Sequence, residues 1–245
     1  ADRHAGYREL GKTGLMVSCL GFGSYRVDDE TSEHEESIRA ALEAGVNLID
    51  TSTNYNEGSS ERLIGGILRT MVERRPELVL VSKVGYVQGQ SLQLAMARKQ
   101  MNQPYPEIVE YQEGCWHCIH PEYLMEHLER SLMRLSLEML DVCLLHNPEY
   151  FLLDAKEQGR TDPAAVRHEF YARVEQSFAF FEAMVAQGKI GCYGVSSNTL
   201  GGAADDMATK LRSAVDSISG GLPANVDPTV ITGGTDDIPV AVLAL

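Results

Sequence analysis

Five times in succession a short apolar run is followed by a stretch with helical spacing, and this alternation constrains the fold more than any single motif. The runs fall at 19–23, 46–50, 78–83, 139–145 and 190–196. Each is brief and apolar, the character of a strand covered on both faces. Between them lie helical stripes: Ile38, Ala41, Leu42 and Gly45; a second over 62–71; Leu124, Leu128, Leu132 and Leu135; then Val166, Phe170, Val174, Phe178, Phe181 and Val185. Strand–helix units in series predict a parallel sheet with right-handed crossovers. Polar residues at the strand ends favour an α/β fold of the (β/α)8 TIM-barrel type over an open doubly wound sheet. No GxGxxG follows the first strand, which argues the same way.

Local signals mark the ends of these elements. Residues 7–10 and 15–18 flank Gly-Lys-Thr-Gly and read as a hairpin. Ser32 and Glu35 have capping-box spacing ahead of the first helix. Pro121 and Pro163 each open a helix, where a missing N–H costs nothing. Residues 85–120 read as a long irregular excursion, and with 150–160 they are the segments expected to shape a substrate pocket. The acidic run 30–36 reads as a solvated helix start.

At 245 residues the chain fits one α/β domain or two small ones, and 44% hydrophobic with 23% charged residues is ordinary for a globular protein. A net charge of −14 argues against non-specific binding to nucleic acid or an anionic membrane, while leaving room for a local basic phosphate pocket. The longest late apolar run, 238–245, is too short to span a bilayer and contains Pro239. The amino end has no signal-peptide pattern. Five cysteines is an odd count, and Cys19, Cys143 and Cys192 stand in apolar, strand-like surroundings. That suits reduced thiols in a cytoplasmic protein.

The chemistry concentrates where strands end. In 44–65, AGVNLIDTSTNYNEGSSERLIG, an apolar run stops at Asp50 and Tyr55 follows in a Ser/Asn/Gly-rich loop. Taken alone, the pair reads as a turn-capping Asp and a loop Tyr. In a barrel, however, all strand C-termini share one face, so Tyr25, Asp50, Tyr55, Lys83, His146 and residues 196–198 would converge. A buried Lys needs a counter-charge, which makes Asp50 the expected partner of Lys83. A cation beside a phenol is expected to lower the Tyr55 pKa, and a neutral His146 could donate to the same oxygen. Such a group would protonate a developing alkoxide.

The segments YRELGKTGLMVSCLGFGSY, GVNLIDTSTNYNEGSSERLIG, VLVSKVG, LDVCLLHNP and YGVSSN, within about 7–205, together resemble the aldo-keto reductases. The resemblance implies a (β/α)8 barrel binding NADPH, or less often NADH, across its C-terminal face. It implies hydride transfer to a small-molecule aldehyde or ketone, with Tyr55 giving the proton, Lys83 held by Asp50, and His146 orienting the carbonyl. By the same similarity Ser196 or Ser197 with Asn198 would hold the nicotinamide carboxamide, and Ser24, Tyr25 and Asp50 would line the strand ends beside the cofactor. Asn56 stands where many members have Gly.

Residues 1–205 are therefore expected to form the reductase-like barrel portion, and 206–245 an atypical tail. The tail could supply a helix over 207–218 and short strands over 229–232 and 238–245, with no Lys or Arg after Arg212 to meet a 2′-phosphate. Three accounts compete: a piece of an active enzyme, a truncated relative without turnover, or a barrel completed by a second copy or a partner chain. The rival functions are thus a catalytically silent barrel acting as a binding or assembly subunit and, from Cys115-Trp116-His117-Cys118 with nearby His120, a metal-binding redox protein. Plain loop packing is preferred for that CxxC, so no metal is expected. Trp116 is expected either to form part of an apolar wall on the substrate side or to pack within the loop.

Overall fold

The computed structural model describes residues 6–198. The chain opens with a hairpin, β1 (Tyr7–Glu9) antiparallel to β2 (Met16–Ser18), and continues through β3 (Phe22–Gly23), α1 (Ser32–Glu43), β4 (Leu48–Asp50), a 3-10 turn over Tyr55–Gly58 and α2 (Ser59–Thr70). A second 3-10 segment, Val72–Glu77, leads into β5 (Val79–Val84). There follow β6 (Tyr86–Val87), α3 (Gly89–Gln100), β7 (Val109–Gln112), β8 (Cys115–His117) and α4 (Pro121–Leu135). The described part ends with β9 (Leu140–His146), α5 (Tyr150–Glu157), α6 (Pro163–Ala186) and β10 (Ile190–Ser196).

Five strands form one sheet in the order β3-β4-β5-β9-β10, and every adjacent pair is parallel. Spatial order follows chain order with no reversal, which is how a barrel is wound; a doubly wound sheet would need a switch point. The period of two along the strands sorts the side chains onto two faces. Leu48, Val79, Val81, Val142 and Leu144 pack together with Leu10 and Val17 of the hairpin, so the hairpin plugs the inner face. Ile49, Leu80, Cys143, Leu145 and Val195 point the other way, into the helices. There Leu124, Leu128, Leu132 and Leu135 of α4 and Val166, Phe170, Val174, Phe178 and Phe181 of α6 are all buried, as their spacing predicts. Val185 is only half-buried, at the end of that stripe.

Helices α2 and α4 approach closely because of Gly65: a Cβ there would lie 2.1 Å from the Arg134 carbonyl oxygen. Around this contact Glu61, fully buried, accepts from Ser82 Oγ of β5 at 2.6 Å, from Ser131 Oγ of α4, and from Arg134 Nε at 2.7 Å. One carboxylate therefore ties α2 to both its neighbours.

Several sequence expectations change in detail. The first barrel strand is only Phe22–Gly23: Cys19 and Leu20 are exposed, since that stretch leads out of the hairpin rather than into the sheet. No capping box forms at α1. Thr31 is the N-cap and makes no side-chain cap bond, while Asp28 Oδ1 takes the Glu30 and Thr31 amides at 3.1 and 2.9 Å. Asp162 does cap α6, accepting from the Ala164 and Ala165 amides. The excursion 85–120 is not irregular: it holds α3 and a three-stranded antiparallel sheet, β6-β8-β7. Its strands are too short for a visible period, and α3 buries only Ala95, so neither leaves a pattern in the sequence. Residues 150–157 are helix α5. No helix among the described residues is long and apolar enough to cross a membrane. The expected elements at 207–218, 229–232 and 238–245 lie outside the described residues.

Candidate active site

Asp50 ends β4, Lys83 lies one residue before the end of β5 and His146 ends β9. These are adjacent parallel strands, so the three side chains leave the sheet at the same end, and Tyr55 reaches them from the loop after β4. The Lys83 ammonium is the centre of the group. Its Nζ donates to Asp50 Oδ2 at 2.6 Å, to the Thr51 carbonyl at 2.9 Å and to the Tyr55 hydroxyl at 3.1 Å. An ammonium has three donors, and each has an acceptor. The phenol oxygen is an acceptor here, and among the described residues no acceptor is recorded for its own hydrogen.

His146 is brought in by Ser52, whose hydroxyl lies 3.0 Å from Nδ1. The same hydroxyl lies 2.6 Å from Asn54 Oδ1 and 3.1 Å from the Lys83 carbonyl. The Tyr55 and His146 rings meet edge to face at 6.0 Å, and Tyr86 packs on the far side of His146 at 4.6 Å. Ser52, Asn54 and Tyr86 had been missed in the sequence. Ser52 was legible, being two residues past Asp50 at the same strand end; Tyr86 reaches the site through the antiparallel side sheet, which has no sequence signal.

Burial pulls the Lys83 pKa down, but Asp50 and then Tyr55 outweigh it and hold the ammonium above its ordinary value. Burial drives the Tyr55 pKa up; Lys83 opposes this and Asp50 adds to it. The net direction is upward, which corrects the expectation of a lowered phenol: the cation is present, but desolvation is the larger effect. Tyr55 keeps its proton at neutral pH. His146 is held well below its ordinary value by burial first, then by Lys83 and His117, so its imidazole is neutral.

Burial also lowers His117 to about 4. The sign of the stability effect follows directly. As pH falls below about 6.5 the unfolded chain protonates this histidine and the folded chain does not, so stability is lost down to the folded pKa. At pH 5 the loss for His117 alone is about 2 kcal/mol. Urea unfolding at pH 7.5 and pH 5 is expected to show a lower midpoint at the acid value, with a smaller pH difference in His117→Phe. An unchanged midpoint in the wild type would contradict the buried neutral state.

The remaining candidates divide by accessibility. Tyr25 is 65% exposed and packs edge to face on Tyr55 at 5.2 Å. Ser24 is fully buried, donating to the Asp50 carbonyl at 2.8 Å and accepting from Ser60 at 2.7 Å, so its hydroxyl is engaged within the protein. Ser196 and Ser197 are buried at the end of β10, and the Ser196 carbonyl accepts from Asn147 N at 2.6 Å. The Ser197 hydroxyl bonds the Glu149 carboxylate. Asn198 is exposed, with its amide fixed on Glu149 Oε1 at 2.8 Å. Ser197, like Ser24, is thus engaged within the protein, whereas Asn198 is exposed at the same sheet end as Asp50, Lys83 and His146. A groove of about 660 Å³, lined by residues including Arg39, Arg62, Ile67, Arg69 and Met133, opens instead on the outer helices and includes none of the tetrad.

Cys115 and Cys118 are buried free thiols, and no metal-binding group of three or more His, Cys, Asp or Glu occurs among the described residues. His117 Nε2 contacts the His146 carbonyl at 2.6 Å, and His120 Nδ1 caps α4 by accepting from Glu122 N at 3.2 Å. Trp116 packs in the small cluster beneath α3 with the Lys99 ammonium 5.4 Å from its ring.

Comparison with known proteins accords with this geometry. A model of the aldo/keto reductase family matches residues 19–218. Among solved structures, aldo-keto reductase AKR11C1 from Bacillus halodurans, in its holo form, is 27% identical with a TM-score of 0.55, over 78% of this chain and 50% of that one. Glycerol dehydrogenase AKR11B4 from Gluconobacter oxydans shares the fold at 19% identity and a TM-score of 0.56, over 86% of this chain and 52% of that one. This chain thus spans about half the length of either. With the family model covering most of its length and a lysine-centred tetrad at the ends of successive parallel strands, this chain belongs to the aldo/keto reductase family.

Proposed function

We propose that the protein is an NADPH-dependent oxidoreductase that reduces a small-molecule aldehyde or ketone to an alcohol, with Tyr55 as the proton donor. The observation that supports this most is the division of the Lys83 donors: the amine binds the phenol oxygen and leaves the phenol hydrogen for a substrate. When bound, the nicotinamide supplies the hydride. Asn198, with Ser196 or Ser197 behind it, would hold its carboxamide, with Tyr25 and Asp50 beside it.

The rest is the work of the chain itself. A carbonyl oxygen gaining negative charge takes the Tyr55 proton, and the phenolate left behind is stabilised by the ammonium already 3.1 Å away. Asp50 fixes that ammonium and keeps it charged. Neutral His146, fixed at Nδ1 by the Ser52 hydroxyl, orients the carbonyl. Because Tyr55 is protonated at neutral pH, it is ready as an acid in the reducing direction. Five free cysteines fit a reducing compartment such as the cytoplasm.

Titration of the protein with NADPH, followed by cofactor fluorescence, is expected to saturate, and NADPH oxidation is expected with a panel of aldehydes. No saturable signal would overturn the reading and leave the catalytically silent barrel.

A further inference from the structure

We propose that Glu57 is a positioning residue for Tyr55: its carboxylate, seated on the first residues of α3, holds the turn that aims the phenol at Lys83. The kinetic part of this inference rests on the function proposed above; the structural part does not.

Immediately after Tyr55 the chain passes through three left-handed residues, Asn56 (φ 46°), Glu57 (φ 53°) and Gly58 (φ 81°), before α2 begins. Glycine adopts this region freely and asparagine tolerates it, which accounts for Asn56 where many family members have Gly. Glutamate does not: a non-glycine residue there costs about 1–2 kcal/mol and persists only when its surroundings hold it. Asn56 is held by its side-chain amide, which donates to the Val27 carbonyl at 2.8 Å. Glu57 is held from the other side. Its Oε2 accepts from Gln90 N at 3.3 Å, in the first turn of α3.

The fit at α3 is mutual. Gly89 is itself left-handed (φ 51°), and a Cβ there would lie 2.4 Å from Glu57 Cδ. The carboxyl group fills the space a side chain would need. One residue earlier, Gln88 Oε1 accepts from Asn54 Nδ2 at 3.0 Å, and Asn54 Oδ1 accepts from the Ser52 hydroxyl that holds His146. Residues 88–90 therefore grip the loop on both sides of Tyr55, through Asn54 before it and Glu57 after it. The first turn of α3 acts as an external brace for the site.

Three variants separate positioning from general structure. Glu57→Gln keeps an acceptor for Gln90 N and is expected to stay within about threefold of wild-type kcat. Glu57→Ala removes the carboxylate, and Gly89→Ala displaces it from the opposite element. Both are expected to lower kcat by about tenfold or more, with NADPH affinity within about twofold, as a misplaced acid would. A readout independent of turnover is the Tyr55 phenol titration, followed by NMR of 13Cζ-labelled tyrosine and assigned through Tyr55→Phe. Loss of contact with Lys83 should raise the Tyr55 midpoint in Glu57→Ala and Gly89→Ala but not in Glu57→Gln. Wild-type kcat and an unmoved Tyr55 titration in both disrupting variants would overturn the proposal. A wild-type protein with no carbonyl turnover at all would overturn the proposed function instead, and the NMR titration would then decide the role of Glu57 alone.

Discussion

Tyr55→Phe is expected to lower kcat for NADPH-linked carbonyl reduction by about a thousandfold, within the range a positioned general acid supplies. Cofactor affinity should change by less than about twofold, because the ring and its contacts with Tyr25 and His146 survive and only the hydroxyl is lost. The fold should survive as well. Lys83 keeps its bonds to Asp50 and Thr51, so the deletion leaves one unpaired N–H next to a half-exposed site rather than an unpaired buried charge. Stopped assays of kcat and KM, with fluorescence titration of NADPH on the same sample, separate these effects. Turnover near wild type would show that the proton comes from elsewhere, and neutral His146 would be the next group to test. Loss of cofactor affinity together with kcat would point to a damaged site rather than a missing acid.

How much of this was legible beforehand differs between residues for physical reasons. Asp50, Lys83 and His146 were readable because each stands at or beside the end of an apolar run, and parallel strands carry their ends to one place. The Lys83–Asp50 pair followed from the cost of burying an unpaired amine, and it forms at 2.6 Å. The direction of the Tyr55 shift did not follow. It depends on how deeply the phenol is buried, and sequence carries the identity of a neighbouring cation but not the loss of water. The helices of the barrel were readable because they bury wide apolar stripes; α3 was not, because Ala95 is its only buried residue. Ser32 and Glu35 had the right spacing for a cap, yet the helix is capped one residue earlier at Thr31, which leaves Ser32 inside the first turn with its hydroxyl on Glu33. Spacing reports what could bond, and where the helix begins decides what does.

Glu61→Ala is expected to cost about 3–5 kcal/mol of folding stability, the range for breaking a buried ion pair from one side. Nothing in the 59–70 sequence marks Glu61 as other than a surface helix residue, yet it is fully buried. Its loss strands Arg134, whose side chain is 20% exposed, and removes the acceptor of two buried hydroxyls, Ser82 and Ser131. Ser82 precedes Lys83 on β5, so the same carboxylate anchors the strand that carries the Lys83 amine. Arg134→Ala should cost less, because Glu61 would keep both serine bonds, and the double variant should fall well short of the sum of the two single losses. Urea denaturation at neutral pH measures all three. A Glu61→Ala midpoint close to wild type would show that water or a neighbouring group replaces the carboxylate, and that α2, α4 and β5 are held by packing around Gly65 alone.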